Sequence, residues 1–448
     1  MSGYLPSVPD SSSEKWVPDL PTFNARKVVL SFVPRFVRRG GLRRTEKLRS
    51  TAYLDALRGV AAVIVVNHHH IYPITELPFI NLWTLGKSSV NVFFVISGYA
   101  LSYSLLKKMR ARDSPGLLDT FASSMFRRWM RLYLSCFFAT FLALILVRMG
   151  RLGYLHRFDY LHTQIFDWMR DCVRFSNPFV GPRGYKIPGN GDYNTGYLDP
   201  LWTIPLEFRG SVVIYAFCLA TCRMVTKYRM MLCAGLIYMC YVWSSIYIAL
   251  FLGGVLVADI SLSRSSWASE QLPPSTTEGP AQKSMAERVG WWSLLIFSLF
   301  LLSQPDEYSA TTMWPWPYLR TLVPEHLGRE SEFLAQHFWL SIGSILLVFT
   351  LDSYPTFQTP LLWDIPQYLG ELSFGIYVVH VLLMWSFWYI TVEPFRAAYF
   401  GDSRFARYPT YVIYFAFVVW AGELFCKVDN ALVKFGKWLQ GKVFYSLH

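Results

Sequence analysis

Between Tyr53 and His70, Asp55, Arg58, Asn67 and three histidines stand in an otherwise largely apolar run. Ionisable side chains inside a membrane segment are costly, so their presence marks a functional position by default. Arg58 and His69 are eleven residues apart. At about 100° per residue they return to within about 20° of one helix face, roughly 16 Å apart along the axis. His68 and His70 point elsewhere. An always-charged guanidinium suits phosphate or another anion, and a neutral imidazole deeper in suits general-base work near pH 7. A plainer arrangement also fits, with Arg58 snorkelling to headgroups and the histidines capping the helix at the far interface.

Four further segments carry polar groups in apolar surroundings. Asn91, Ser97 and Gly98 interrupt the run that begins at Val90; small residues there allow close helix packing, and Ser97 offers a hydrogen-bonding hydroxyl. Arg127, Arg128 and Arg131 stand just before another apolar run. Arg127 and Arg131, four residues apart, share a face and serve either as a topology anchor or as a cradle for the phosphates of a donor. Glu207 enters an apolar segment with Trp202 behind it; a carboxylate at that depth needs a partner, which Arg209, a histidine or a bound substrate would supply. Ser373, Tyr377 and His380 fall at i, i+4 and i+7, one polar stripe on an apolar helix.

The elements that must hold these groups are membrane helices. Apolar blocks near the ~20 residues needed to cross a bilayer recur almost to the end of the chain. The expected fold is all-α, a polytopic transmembrane bundle of about ten helices with both termini cytosolic. The expected spans are 54–72, 90–106, 132–147, 211–224, 230–243, 246–259, 291–302, 333–351, 368–390 and 408–426. The pair 230–243 and 246–259 also reads as one long or broken helix, which would change the parity. Basic residues at Lys107–Arg131, at Arg223, Lys227 and Arg229, and at Lys427–Lys442 all fall on the cytosolic side of a ten-span arrangement.

Residues 1–50 read as a basic, largely mobile cytosolic tail with no apolar run long enough for a cleaved signal peptide. Residues 51–430 read as the membrane domain and 431–448 as a basic cytosolic tail. Within the domain, 148–205 form a long exoplasmic loop rich in Gly, Pro, Asn and Tyr that ends in Gly189–Asp192, and 261–289 a Ser/Pro/Glu-rich cytosolic linker. Long loops between spans are often lids or binding elements; a surface insertion is the other reading.

Composition agrees: 53% of residues are hydrophobic and only 16% charged, against about a quarter charged in soluble domains. The formal charge of +12 does not indicate nucleic acid, because the basic residues cluster beside the apolar blocks. Seven scattered cysteines, mostly within apolar segments, are neither a disulfide framework nor a metal site. No metal is expected.

Five motifs in order resemble the acyltransferase 3 family of polytopic membrane O-acyltransferases, and its filamentous-fungal branch in particular. They are Leu-Asp-Ala-Leu-Arg at 54–58 with His69 after ten intervening residues, Phe-Phe-Val-Ile-Ser-Gly at 93–98, and Arg-Arg-x-x-Arg-Leu at 127–132. Leu-Trp-Thr-x-Pro-x-Glu-Phe at 201–208 and Ser-Phe-Gly-Ile-Tyr-Val-Val-His at 373–380 complete the set. Tyr133 stands where the commoner pattern has proline. The resemblance implies an acyl-CoA co-substrate, with acetyl-CoA the expected donor, and no permanently bound cofactor. Arg58 with Arg127, Arg128 and Arg131 would meet its phosphates. His69 would act as general base on a hydroxyl of a small-molecule, lipid or carbohydrate acceptor. Glu207 and His380 would assist, and Ser97, Trp202, Ser373 and Tyr377 would line the site. The rival reading is a transporter or proton or acyl-group translocator using the same polar track. Either way the chain is a multi-pass protein of an endomembrane or the plasma membrane, its partner the lipid bilayer.

Overall fold

The computed structural model describes residues 32–43, 47–70, 77–177, 195–271, 284–305, 312–330, 332–401 and 403–444. The expected N-terminal tail up to residue 31 and Gly189–Asp192 lie outside them. Every regular element among the described residues is helical. We number the α-helices α1 (Ala52–His70), α2 (Gly86–Arg110), α3 (Ser114–Arg148), α4 (Leu161–Phe175), α5 (Thr203–Ala220), α6 (Thr226–Val242) and α7 (Ile246–Gln271). There follow α8 (Met285–Leu302), the short α9 (Trp316–Thr321) and α10 (Glu325–Glu330), then α11 (Glu332–Ser353) and α12 (Asp364–Leu383). A π-helical stretch (Met384–Val392) leads into α13 (Glu393–Phe400), and α14 (Arg404–Val443) closes the chain.

Backbone N–H and C=O groups in lipid must be satisfied within their own segment, which is why apolar runs of this length fold as helices. Starts are set by local chemistry. Asp113 accepts the Gly116 amide at the head of α3 (3.0 Å), and Ser284 and Ser403 do the same for α8 and α14.

Among the described residues, eight helical stretches are long and apolar enough to cross a membrane: Gly86–Arg110, Ser114–Arg148, Asp199–Ala220, Ile246–Ser265, Met285–Leu302, Leu334–Ser353, Asp364–Phe400 and Phe405–Val443. The protein is an integral, multi-pass membrane protein. The two expected spans that do not meet this measure, α1 and α6, are helices of the same bundle. α1 carries Asp55, Arg58 and three histidines, which lower its hydropathy, and α6 has 17 residues. The segments 230–243 and 246–259 belong to two separate helices, because Ser244 takes a left-handed turn (φ 55°) and Cys233 of α6 packs back on the Leu252 carbonyl of α7.

Two stretches expected as connections are partly helical. α7 runs to Gln271, into the expected linker, because polar side chains there have buried partners: Ser263 meets Arg110 (2.6 Å) and Arg264 pairs with Asp352. The basic stretch from 431 is the end of α14 and packs on α3, with the Phe126 and Phe444 rings 5.1 Å apart.

The interior divides into two apolar clusters. One gathers α2, α5, α6, α7 and α11 around Phe94, Tyr99, Phe251 and Val348; the other gathers α1, α3, α12 and α14 around Val66, Tyr133, Ile376 and Val418. Asp352 ties the bundle together by accepting from Tyr53 (3.0 Å), Tyr99 (2.9 Å) and Ser261 (3.0 Å). Asp259 joins α2, α6 and α7 through Arg110 (2.6 Å) and Arg229 (2.8 Å).

Candidate active site

α1 and α12 meet through glycines. A Cβ on Gly59 would lie 2.4 Å from the Gly370 nitrogen, and one on Gly370 would lie 2.4 Å from the Asp55 carbonyl oxygen. Only hydrogen fits between the two backbones. Ten residues beyond this contact in each helix stand His69 and His380, and their ring centroids are 5.2 Å apart. The helices therefore run parallel, and the glycine contact sets the register of the two imidazoles.

The triplet separates by environment. His68 Nδ1 lies 2.8 Å from the Thr84 carbonyl. His70 is stacked on Tyr414 (4.4 Å, 16°) and edged by Trp388 (4.2 Å) from the π-helical stretch. His69 faces His380. His380 is wholly buried, with Nδ1 3.3 Å from the Ile376 carbonyl and Nε2 without a hydrogen-bond partner among the described residues. The Nδ1–H tautomer satisfies the first contact and leaves Nε2 as an acceptor. Tyr414 also donates to the His380 carbonyl (2.8 Å), so α14 clamps both histidine-bearing helices.

A cavity of about 250 Å³ lies at the seam of the two apolar clusters. Its polar lining is Arg58, Ser97, Arg128, Arg131, Thr203, Glu207, Ser373, Tyr377 and Asp429, set among Phe93, Phe94, Leu132 and Phe374. Three guanidinium groups face two carboxylates, a surplus of positive charge suited to an anion. Glu207 accepts from Ser97 (2.9 Å) and from Arg128 (2.7 Å), and Arg128 also donates to Ser211 (2.8 Å). Among the partners left open by the sequence, neither Arg209 nor a histidine is used; Arg128 takes that place. Arg58 lies 3.8 Å from Asp55 and bears on the same cavity.

Two expected residues stand apart. Arg127 does not line the cavity and holds its own helix at the Ser123 carbonyl (3.1 Å). The face that turns inward on α3 is that of Arg128 and Arg131, three apart, rather than that of Arg127 and Arg131. Trp202 packs on Tyr247 (6.1 Å) outside the cavity. Nor do His69 and His380 line it. Tyr377 stands between, its ring 6.0 Å from His380 and its hydroxyl bonded to Thr203 (3.0 Å) and the Pro200 carbonyl. Thr203 and Asp429 are lining residues that sequence reasoning did not single out. Asp429, held by Ser135 (2.6 Å), lies two residues after Lys427 at the basic end of an apolar run and reads as a solvated charge until α3 and α14 are docked.

Residues 51–425 match the sequence model of the acyltransferase 3 family, described as an acyltransferase domain. The chain belongs to the acyltransferase 3 family. Fungal relatives of this acyltransferase include O-acetyltransferase PaAT-1 of Phomopsis amygdali, 28% identical over 88% of this chain and 86% of that protein. Acyltransferase R4 of a Phoma species is 26% identical, and acyltransferase clz18 of Cochliobolus lunatus 24% identical; each alignment covers 75% of this chain and 83% of the relative. No solved structure matches this acyltransferase.

Proposed function

We propose that this membrane acyltransferase moves an acetyl group from acetyl-CoA to a hydroxyl of a small-molecule acceptor of secondary metabolism, with His69 as general base. The observation that carries this is the His69–His380 pair placed one tyrosine away from a cavity with surplus guanidinium charge. The name O-acetyltransferase borne by PaAT-1 supports both the acetyl group and the oxygen acceptor.

The donor would enter from the cytosolic end, its phosphates meeting Arg58, Arg128 and Arg131. His69 takes the proton from the acceptor hydroxyl as the oxygen attacks the thioester carbonyl. The C–S bond then breaks, and the proton passes to the departing thiolate to give free CoA thiol. His380 Nε2, buried without a partner beside His69, is placed to share that proton. Glu207 holds Arg128 in place and orients the acceptor side of the cavity.

The test is to give membranes containing wild type or His69→Ala radiolabelled acetyl-CoA and an extract of candidate acceptors. Wild type transfers label to a small-molecule organic fraction and His69→Ala falls by about 10²–10⁴-fold, with equal protein in the membrane; label in a glycan fraction alone would overturn the small-molecule acceptor. Equal transfer by His69→Ala, with loss only in His68→Ala or His70→Ala, would reassign the base.

A further inference from the structure

The stretch 148–205 is expected to lie outside the membrane, yet its helix α4 runs back along α3 instead of away from it. Near the end of α3, Arg148 donates to the Phe158 carbonyl (2.5 Å). One turn and more into α4, Trp168 donates to Thr140 (3.0 Å) and its ring lies 5.6 Å from Phe141. At the end of α4, the Phe175 ring lies 5.6 Å from Tyr133. Successive contacts thus step down α3 from residue 148 to residue 133. That is about 22 Å of helix, most of a hydrocarbon core about 30 Å thick. These α3 residues belong to one of the stretches apolar enough to span a membrane.

The outward side of α4 matches that depth. Leu161, Ile165, Phe166, Met169 and Val173 lie on one helical face, with exposures from 38% at Ile165 to 71% at Val173, and the exposed His162 stands among them in the first turn. The row is continuous with the exposed Phe141 and Ile145 of α3. Its inward side sets Trp168 and Phe175 against α3, and the polar groups beside them are occupied: Asp171 accepts from Thr195 (2.5 Å) and the Gly196 amide (3.0 Å), and Asp167 accepts from Tyr197 (3.1 Å). Arg170, on the adjoining face, pairs with Asp167 (2.9 Å). A helix bathed in water turns its apolar residues inward; α4 leaves a second apolar row, Leu161 to Val173, on its outward side.

We propose that α4 is a re-entrant helix inserted in the membrane, its Leu161–Val173 row covered by lipid acyl chains. The bilayer thereby holds the segment 195–203, through Asp167 and Asp171, against the cavity that Thr203 lines. Helices of this kind are tolerated at membrane depth because their backbone is internally bonded and one side rests on protein.

The experiment uses the wild-type protein in phosphatidylcholine liposomes carrying a lipid with a diazirine near the middle of its acyl chain. Irradiation, digestion and peptide mapping should place adducts on 161–175 at a level comparable with the peptide bearing Phe141 and Ile145. Adducts on the α3 peptide with none on 161–175 would overturn the proposal. Val173→Asp tests the positioning role. It should lose adducts on 161–175 and at least tenfold of acyl transfer while the α3 peptide still labels; unchanged transfer would sink that role whatever the lipid adducts show.

Discussion

Glu207 and Arg128 are a largely buried ion pair, their side chains 14% and 11% exposed at a 2.7 Å contact. Removing one partner of such a pair leaves a charge that low-dielectric surroundings cannot solvate, at a cost of about 3–5 kcal/mol. Arg128→Ala should therefore lower the thermal midpoint in detergent as well as abolish transfer. Glu207→Gln keeps a hydrogen bond from Arg128 to the amide oxygen but strips that buried guanidinium of its counter-charge, so it too should lower the midpoint. Arg58→Ala, whose partner Asp55 is exposed, 3.8 Å away, should cost little stability and act on the KM for the donor. Thermal unfolding and steady-state kinetics on the three variants check the division. Residue types and spacing were enough to single out Arg58, His69 and Glu207 in the sequence, because ionisable groups stand out against apolar helices. They were not enough to pair Glu207 with Arg128. That contact joins residues 79 apart in sequence, and each had several chemically equivalent partners.

At the scale of elements, the packing of α1 on α12 carries the argument. Gly59→Ala puts a methyl group 2.4 Å from a backbone nitrogen, a clash that no rotamer relieves, so the helices must part and the His69–His380 register is lost. We expect loss of acyl transfer with a lowered thermal midpoint. Gly290→Ala in α8 is the control. Nothing lies within 4 Å of its Cβ, and removing glycine flexibility from a helix stabilises by about 0.4–1 kcal/mol. Its activity should be unchanged and its midpoint equal or higher. If Gly59→Ala instead behaves like Gly290→Ala, the glycine contact does not set the register. In the sequence Gly59 and Gly370 each read only as a small residue in an apolar helix, and small residues are frequent there.

For the molecule as a whole, the prediction concerns crossings. Eight stretches meet the length and apolarity measure; adding α1 and α6 as crossings gives an even number, which puts both termini on one side. From the basic loops we predict that this side is the cytosol. Complementary reporter fragments placed at each terminus and expressed against a cytosolic counterpart should both report. A signal from one end alone would mean that α1 or α6, but not both, fails to cross.

The sequence by itself determined that the chain is a helical membrane protein and which family it joins. Apolar length and period, and short motifs along one helix, are local properties. It also determined that His69 shares a face with Arg58, since a helix fixes the angle between residues eleven apart. Only the tertiary structure decided that His69 meets His380, that Arg128 rather than Arg127 turns toward Glu207, and that Asp429 joins the cavity. It alone placed α4 along α3, inside a stretch whose composition reads as a loop. Each of these depends on the rotation and depth at which one helix docks on another. Those are set by close contacts such as Gly59 on Gly370, for which many sites in an apolar chain are equivalent until the helices meet.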